Sequence, residues 1–66
     1  MKIIVNGSPR EVAEEATVAS VVAQVTEAVS GVAVALNEEI VRRGVWAETA
    51  LRDADRLEVL TAVQGG

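Results

Sequence analysis

Five valines, Val18, Val21, Val22, Val25 and Val29, recur at spacings of 3, 1, 3 and 4 residues, which places all of them on one stripe of an α-helix. β-Branched side chains lose rotamer freedom in helices, so propensity opposes this assignment. Strict alternation fails across the same window, however, and the period decides. Thr17 supplies an N-cap hydroxyl. Ser30-Gly31 supplies the stop, because glycine suits the left-handed conformation past a helix end. The result is one predicted helix whose apolar stripe needs a surface to lie on.

The flanking segments predict that surface. Ile3 and Val5 alternate with Lys2 and Ile4 up to Asn6-Gly7, a pair that tolerates the positive φ angles of a tight hairpin turn. Pro9 has no backbone donor and belongs at the start or outer edge of the second strand, which runs on through Arg10, Glu11 and Val12. Beyond the helix, Val32, Val34 and Leu36 share one face of a strand, with the smaller Ala33 and Ala35 on the other. Asn37-Glu38-Glu39 makes a turn, Ile40-Val41 a short fourth strand, and Trp46 and Leu51 anchor an irregular stretch that follows Arg42-Arg43-Gly44. After a turn at Asp53-Ala54-Asp55, Leu57 and Val59 alternate with Arg56, Glu58 and Leu60 in a last strand that leads to the terminus. Strand, strand, helix, strand, strand, strand is an α+β order, suited to one mixed sheet of about five strands with the helix packed across one face.

With 66 residues the chain has room for one domain, in which roughly 60% of the unfolded surface can be buried. Residues 1–62 form that domain, and 63–66 are expected to be a flexible tail ending in Gly-Gly. Half the residues are apolar and aromatics make up 2%, so the core must be aliphatic. Trp46 is the one ring, and it is expected to pack rather than to stack on a ligand. The absence of cysteine and histidine removes the best side-chain nucleophile, the commonest proton shuttle and the commonest metal ligand. The chain is therefore not expected to be an enzyme in its own right or to bind a cofactor or metal.

A net charge of −4 opposes binding to nucleic acid, whose phosphates call for clustered Lys and Arg, and favours a basic protein partner. Met1-Lys2-Ile3-Ile4-Val5 is too short for a signal-peptide core or a membrane span, and without cysteines a reducing cytoplasm is the expected location. Asp53, Asp55 and Glu58 lack the spacing of a metal-binding loop and are read as a solvated turn. Glu14-Glu15 and Glu38-Glu39 are likewise read as solvated. By alternation, Ile4, Leu60 and Ala62 fall on the sheet face opposite Ile3, Val5, Leu57 and Val59, where they are candidates for docking a partner.

Ala35-Leu36-Asn37, Ile40-Val41-Arg42-Arg43, Trp46-Ala47, Asp53-Ala54-Asp55-Arg56-Leu57 and the closing Gly65-Gly66 together resemble the ThiS family, the sulfur carriers of thiamine thiazole synthesis. The resemblance spans the whole chain. It implies the β-grasp fold of ubiquitin, shared with the related molybdopterin-synthase carrier MoaD. Two positions depart from the family pattern: Ala54 stands where glycine is usual, and Arg42-Arg43 where Pro-Arg is frequent.

The resemblance also implies a chemistry. A free carboxylate is a poor acyl electrophile, so a carrier working through its C-terminus needs an outside enzyme and ATP. A ThiF-type adenylating enzyme would make the Gly66 acyl-adenylate, and a desulfurase system would supply persulfide sulfur to convert it to a thiocarboxylate. A ThiG-type thiazole synthase would be the acceptor. Gly65 and Gln64 belong to the tail that enters the partner's active site; glycine has no Cβ to obstruct that approach. From residue 63 to 66 the chain reaches about 13–14 Å when extended. Other acceptors, in molybdopterin or cysteine synthesis, and a ubiquitin-like protein modifier or binding module remain open alternatives.

Overall fold

The computed structural model describes residues 1–28 and 30–62. Val29 and the tail residues 63–66, with Gln64, Gly65 and Gly66 among them, lie outside the described residues, and so does the division into domain and tail. The elements are β1 (Lys2–Val5), β2 (Ser8–Glu11), α1 (Val18–Val25), β3 (Val32–Leu36), β4 (Glu39–Ile40), a 3-10 helix (Arg43–Glu48) and β5 (Arg56–Thr61). The five strands form one sheet in the order β2-β1-β5-β3-β4. β1 and β5 run parallel, and the other neighbours are antiparallel. The expected mixed sheet with one helix across it is the architecture found.

Local chemistry explains most boundaries. Asn6 and Gly7 both have positive φ, 50° and 85°, so a two-residue turn sets Val5 opposite Ser8. Pro9 lies opposite Ile4 on the edge strand β2, where its missing donor costs no ladder bond. Strand β2 stops at Glu11, one residue short of the expected end, although Val12 still exchanges backbone bonds of 2.8 Å with Met1.

The helix begins as the sequence predicts. Thr17 Oγ1 accepts the Ser20 N–H at 3.2 Å, and Ser20 Oγ accepts the Thr17 N–H at 3.0 Å, a reciprocal cap. It ends earlier than the valine stripe suggests, at Val25. Thr26 turns to an extended φ of −144°, and its Oγ1 accepts the Ala28 N–H at 3.1 Å, so this hydroxyl starts a local turn in place of another helical turn. Gly31 is consequently not the helix stop; its φ of +71° carries the chain into β3.

Ile3, Val18, Val21, Val34 and Leu57 are almost wholly buried, and Val5, Val12, Ala16, Val22, Trp46, Leu51 and Val59 complete the core between helix and sheet. Each large aliphatic side chain in it contributes about 1.5–3 kcal/mol by leaving water. Trp46 packs as expected: its ring is covered, its Nε1–H donates to the Val41 carbonyl at 2.8 Å, and the Arg43 guanidinium lies 5.7 Å from the ring centroid. The stretch read as irregular is a 3-10 helix, closed by bonds such as Val45 N–H to the Arg42 carbonyl at 3.0 Å. So short an element carries no apolar period. β4 covers Glu39–Ile40 instead of Ile40-Val41, because Asn37 and Glu38 alone take positive φ, 50° and 73°, and close a two-residue turn.

Among the described residues, no helix is long and apolar enough to cross a membrane.

Candidate functional site

β5 is central in the sheet and is the last element in the chain, so whatever fixes β5 fixes where the terminal residues begin. Leu57 and Val59 point into the core and Arg56, Glu58 and Leu60 outward, as alternation predicts. Two asparagine side chains hold the strand. Asn37 Oδ1 accepts the Arg56 N–H at 2.9 Å while the Asn37 N–H donates to the Arg56 carbonyl at 2.7 Å. Asn6 Oδ1 accepts the Val59 N–H at 2.8 Å, and Asn6 Nδ2 donates to the Val59 carbonyl at 3.2 Å. Asn6 thereby continues the parallel pairing past its last rung, Val5 opposite Leu57.

The turn before β5 is built from the two aspartates. Asp55 Oδ2 accepts the Arg52 N–H at 2.7 Å, Asp55 Oδ1 accepts from Asn37 Nδ2 at 3.0 Å, and Asp53 Oδ1 accepts the Lys2 N–H at 2.9 Å. Both carboxylates thus serve as turn acceptors. Ala54 between them has a φ of 73°, the left-handed conformation for which the family's glycine is suited.

The outer sheet face carries the three candidate docking residues, and register separates them. Ile4 lies beside Arg56, in an open hollow also lined by Gly7, Glu38, Leu57 and Glu58. Leu60 lies four residues beyond Arg56 along β5, beside Ala33, and shares a shallow apolar groove with Ala33, Ala35 and Ile40. Glu58 borders both hollows. Ala62 is exposed just beyond the end of β5. Leu60 is 67% exposed and Ile40 77%, the two largest unburied aliphatic surfaces among the described residues.

Sequence reasoning did not single out Ile40. A two-residue strand has too little alternation to assign a face; the signal is the register of Ile40 against Ala35, once Leu36 is set opposite Glu39. Around the groove the charge is mainly acidic. Glu38 meets Arg56 at 3.5 Å with both side chains well exposed, a pair contributing about 0–1 kcal/mol, while Glu58 adds negative charge to the same side.

Comparison with known proteins places this geometry. The sequence profile described as the ThiS family matches residues 3–66. The sulfur carrier protein ThiS of Escherichia coli is 30% identical over 66 residues, covering 100% of both chains. A thiazole synthase of Paramagnetospirillum magneticum is 33% identical over 66 residues, which are all of this chain and 20% of that protein, so the chain spans a fifth of the length of that relative. The crystal structure of a thiamine biosynthesis protein (ThiS) from Geobacter metallireducens superposes with a TM-score of 0.80 at 33% identity, with both chains fully covered. A solution structure from the same organism gives 0.82 at 33% identity, covering all of this chain and 88% of that one. The β-grasp fold implied by the resemblance is therefore the fold of this chain.

Proposed function

Because the chain belongs to the ThiS family, we propose that it is a sulfur carrier for thiamine thiazole synthesis whose working group is the carboxylate of Gly66. One observation carries this reading: the family profile runs through Gly65-Gly66, and the Escherichia coli carrier is matched over its whole length. The range matched to the family thus includes the terminal pair.

The chain acts as a protein co-substrate. Its body contains neither cysteine nor histidine, so the chemistry comes from partners. A ThiF-type adenylating enzyme uses ATP to convert the Gly66 carboxylate to an acyl-adenylate, whose AMP is a far better leaving group than an oxide anion. The terminal sulfur of a desulfurase-derived persulfide attacks the acyl carbon and expels AMP, giving an acyl disulfide; a second thiol then forms a disulfide with the donor cysteine sulfur and releases the Gly66 thiocarboxylate. Gly65 and Gln64 accompany Gly66 into the active site. Thiazole synthase is the acceptor; a thiazole synthase that holds a similar segment within its own chain supports that pairing.

Docking of the body uses the outer sheet face. Leu60 provides the apolar contact together with Ile40, and Ile4 and Ala62 flank it along and beyond β5. Glu38 and Glu58 draw a basic partner surface.

Intact-mass measurement tests the reading after incubation with the cognate adenylating enzyme, ATP and a sulfur donor. Replacement of one oxygen by sulfur at Gly66 is the expected result. Conjugates linked to lysine and no sulfur gain would make the chain a protein modifier instead. Thiocarboxylate that is consumed by molybdopterin synthase or a cysteine-forming enzyme, but not by thiazole synthase, would move the chain to another branch of carriers.

A further inference from the structure

Gly31 is left without its expected purpose, because α1 ends at Val25. It nevertheless occupies a position that only glycine fits well. Its φ is +71°, and a Cβ added there would lie 3.1 Å from the Ala62 Cβ. The Ala62 N–H donates to the Gly31 carbonyl at 2.7 Å, one step beyond the last register pair of β3 and β5, Val32 opposite Thr61.

On its other side β5 has less support. β1 pairs with it no further than Leu57, and the Asn6 clamp ends at Val59. Past Val59, the contacts that hold the strand among the described residues come from β3 and finally from Gly31.

We propose that Gly31 is a positioning residue for the C-terminal end: its bond to Ala62 fixes the place and direction of the last described residue, from which the chain continues to Gly66. This rests on the reading of Gly66 as the working group. A tail rooted at Ala62 has four residues and a reach of about 13–14 Å. A rung that opens moves the root back to Thr61 and loosens its direction, so more conformational freedom is lost when the tail enters an active site. The body would still dock through Leu60, Ile40 and Ile4 on its outer face. Gly31 should therefore govern the step after docking.

An L-side chain at residue 31 meets the left-handed penalty of about 1–2 kcal/mol, which shifts opening of the rung by roughly tenfold. The experiment compares the wild-type chain with Gly31→Ala and Ala62→Pro. The second variant deletes the donor of the rung and leaves Gly31 unchanged. Amide hydrogen exchange is followed at Ala62, with Ile4 and Val59 as internal reports of the folded body, and steady-state adenylation is measured with the cognate enzyme.

Gly31→Ala is expected to speed exchange at Ala62 by roughly tenfold while Ile4 and Val59 keep their protection. Both variants should lower kcat for adenylation, and Gly31→Ala, which leaves every docking residue in place, should keep KM for the carrier unchanged. An Ala62 amide that exchanges freely in the wild-type chain would overturn the proposal. So would loss of the rung, in either variant, at an unchanged kcat. A wild-type chain that is never adenylated would overturn the Gly66 reading and the positioning role with it, which distinguishes the two failures.

Discussion

The side-chain amide of Asn6 closes a two-bonded ring on the backbone of Val59, accepting its N–H at 2.8 Å and donating to its carbonyl at 3.2 Å. Asn6 also turns the β1–β2 hairpin at a φ of 50°. One residue thus shapes the first turn of the chain and grips the last strand, 53 residues away.

Two substitutions separate these duties. Asn6→Gly keeps the turn and loses both bonds, and it should destabilise the domain by about 1–3 kcal/mol. Asn6→Ala adds the left-handed penalty, for a total larger by about 1–2 kcal/mol. Urea unfolding, followed by the fluorescence of Trp46, measures both. Equal stability of the glycine variant and the wild-type chain would show that the clamp contributes nothing.

Ala54 should respond in the opposite direction. Its φ of 73° strains any residue with a Cβ, and its N–H donates to the Lys2 carbonyl at 2.8 Å, so the turn cannot relax without breaking a bond to β1. Ala54→Gly removes the strain at the cost of a more flexible unfolded chain, with an expected net gain of about 0.5–1 kcal/mol. A lower urea midpoint for this variant would contradict the argument.

Leu60 and Ile40 test the docking face. Both are largely exposed, so Leu60→Glu and Ile40→Glu should leave the urea midpoint nearly unchanged. If the groove is the apolar centre of the interface, each should weaken binding of the adenylating enzyme by roughly tenfold or more. Unchanged affinity for both would remove the groove from the interface. Added salt should weaken the wild-type complex as well, since Glu58 borders the groove and Glu38 the neighbouring hollow.

How much of this was legible in the sequence depended on whether the cause was local. The Asn6-Gly7 turn, the Thr17 cap and the inward Leu57 and Val59 follow from residues close together in the chain, and they appear where expected. The end of α1 did not follow, because a single hydroxyl, that of Thr26, overrides a period that continues to Val29. Gly31 was misread for the same reason: glycine marks a left-handed position but does not say which element needs it. The clamps made by Asn6 and Asn37 and the groove that Ile40 and Leu60 share on the outer face depend on strand order, which no local pattern carries. Gly65-Gly66 was the reverse case, conspicuous in the sequence and outside the described residues.

The claim at the centre is that the folded body serves to present Gly66. Deleting Gly66 and assaying growth of a thiamine auxotroph that depends on this chain tests it most directly, with the urea midpoint as a check that the body still folds. The account predicts a folded chain and no growth without added thiamine; growth equal to that given by the full-length chain would contradict it.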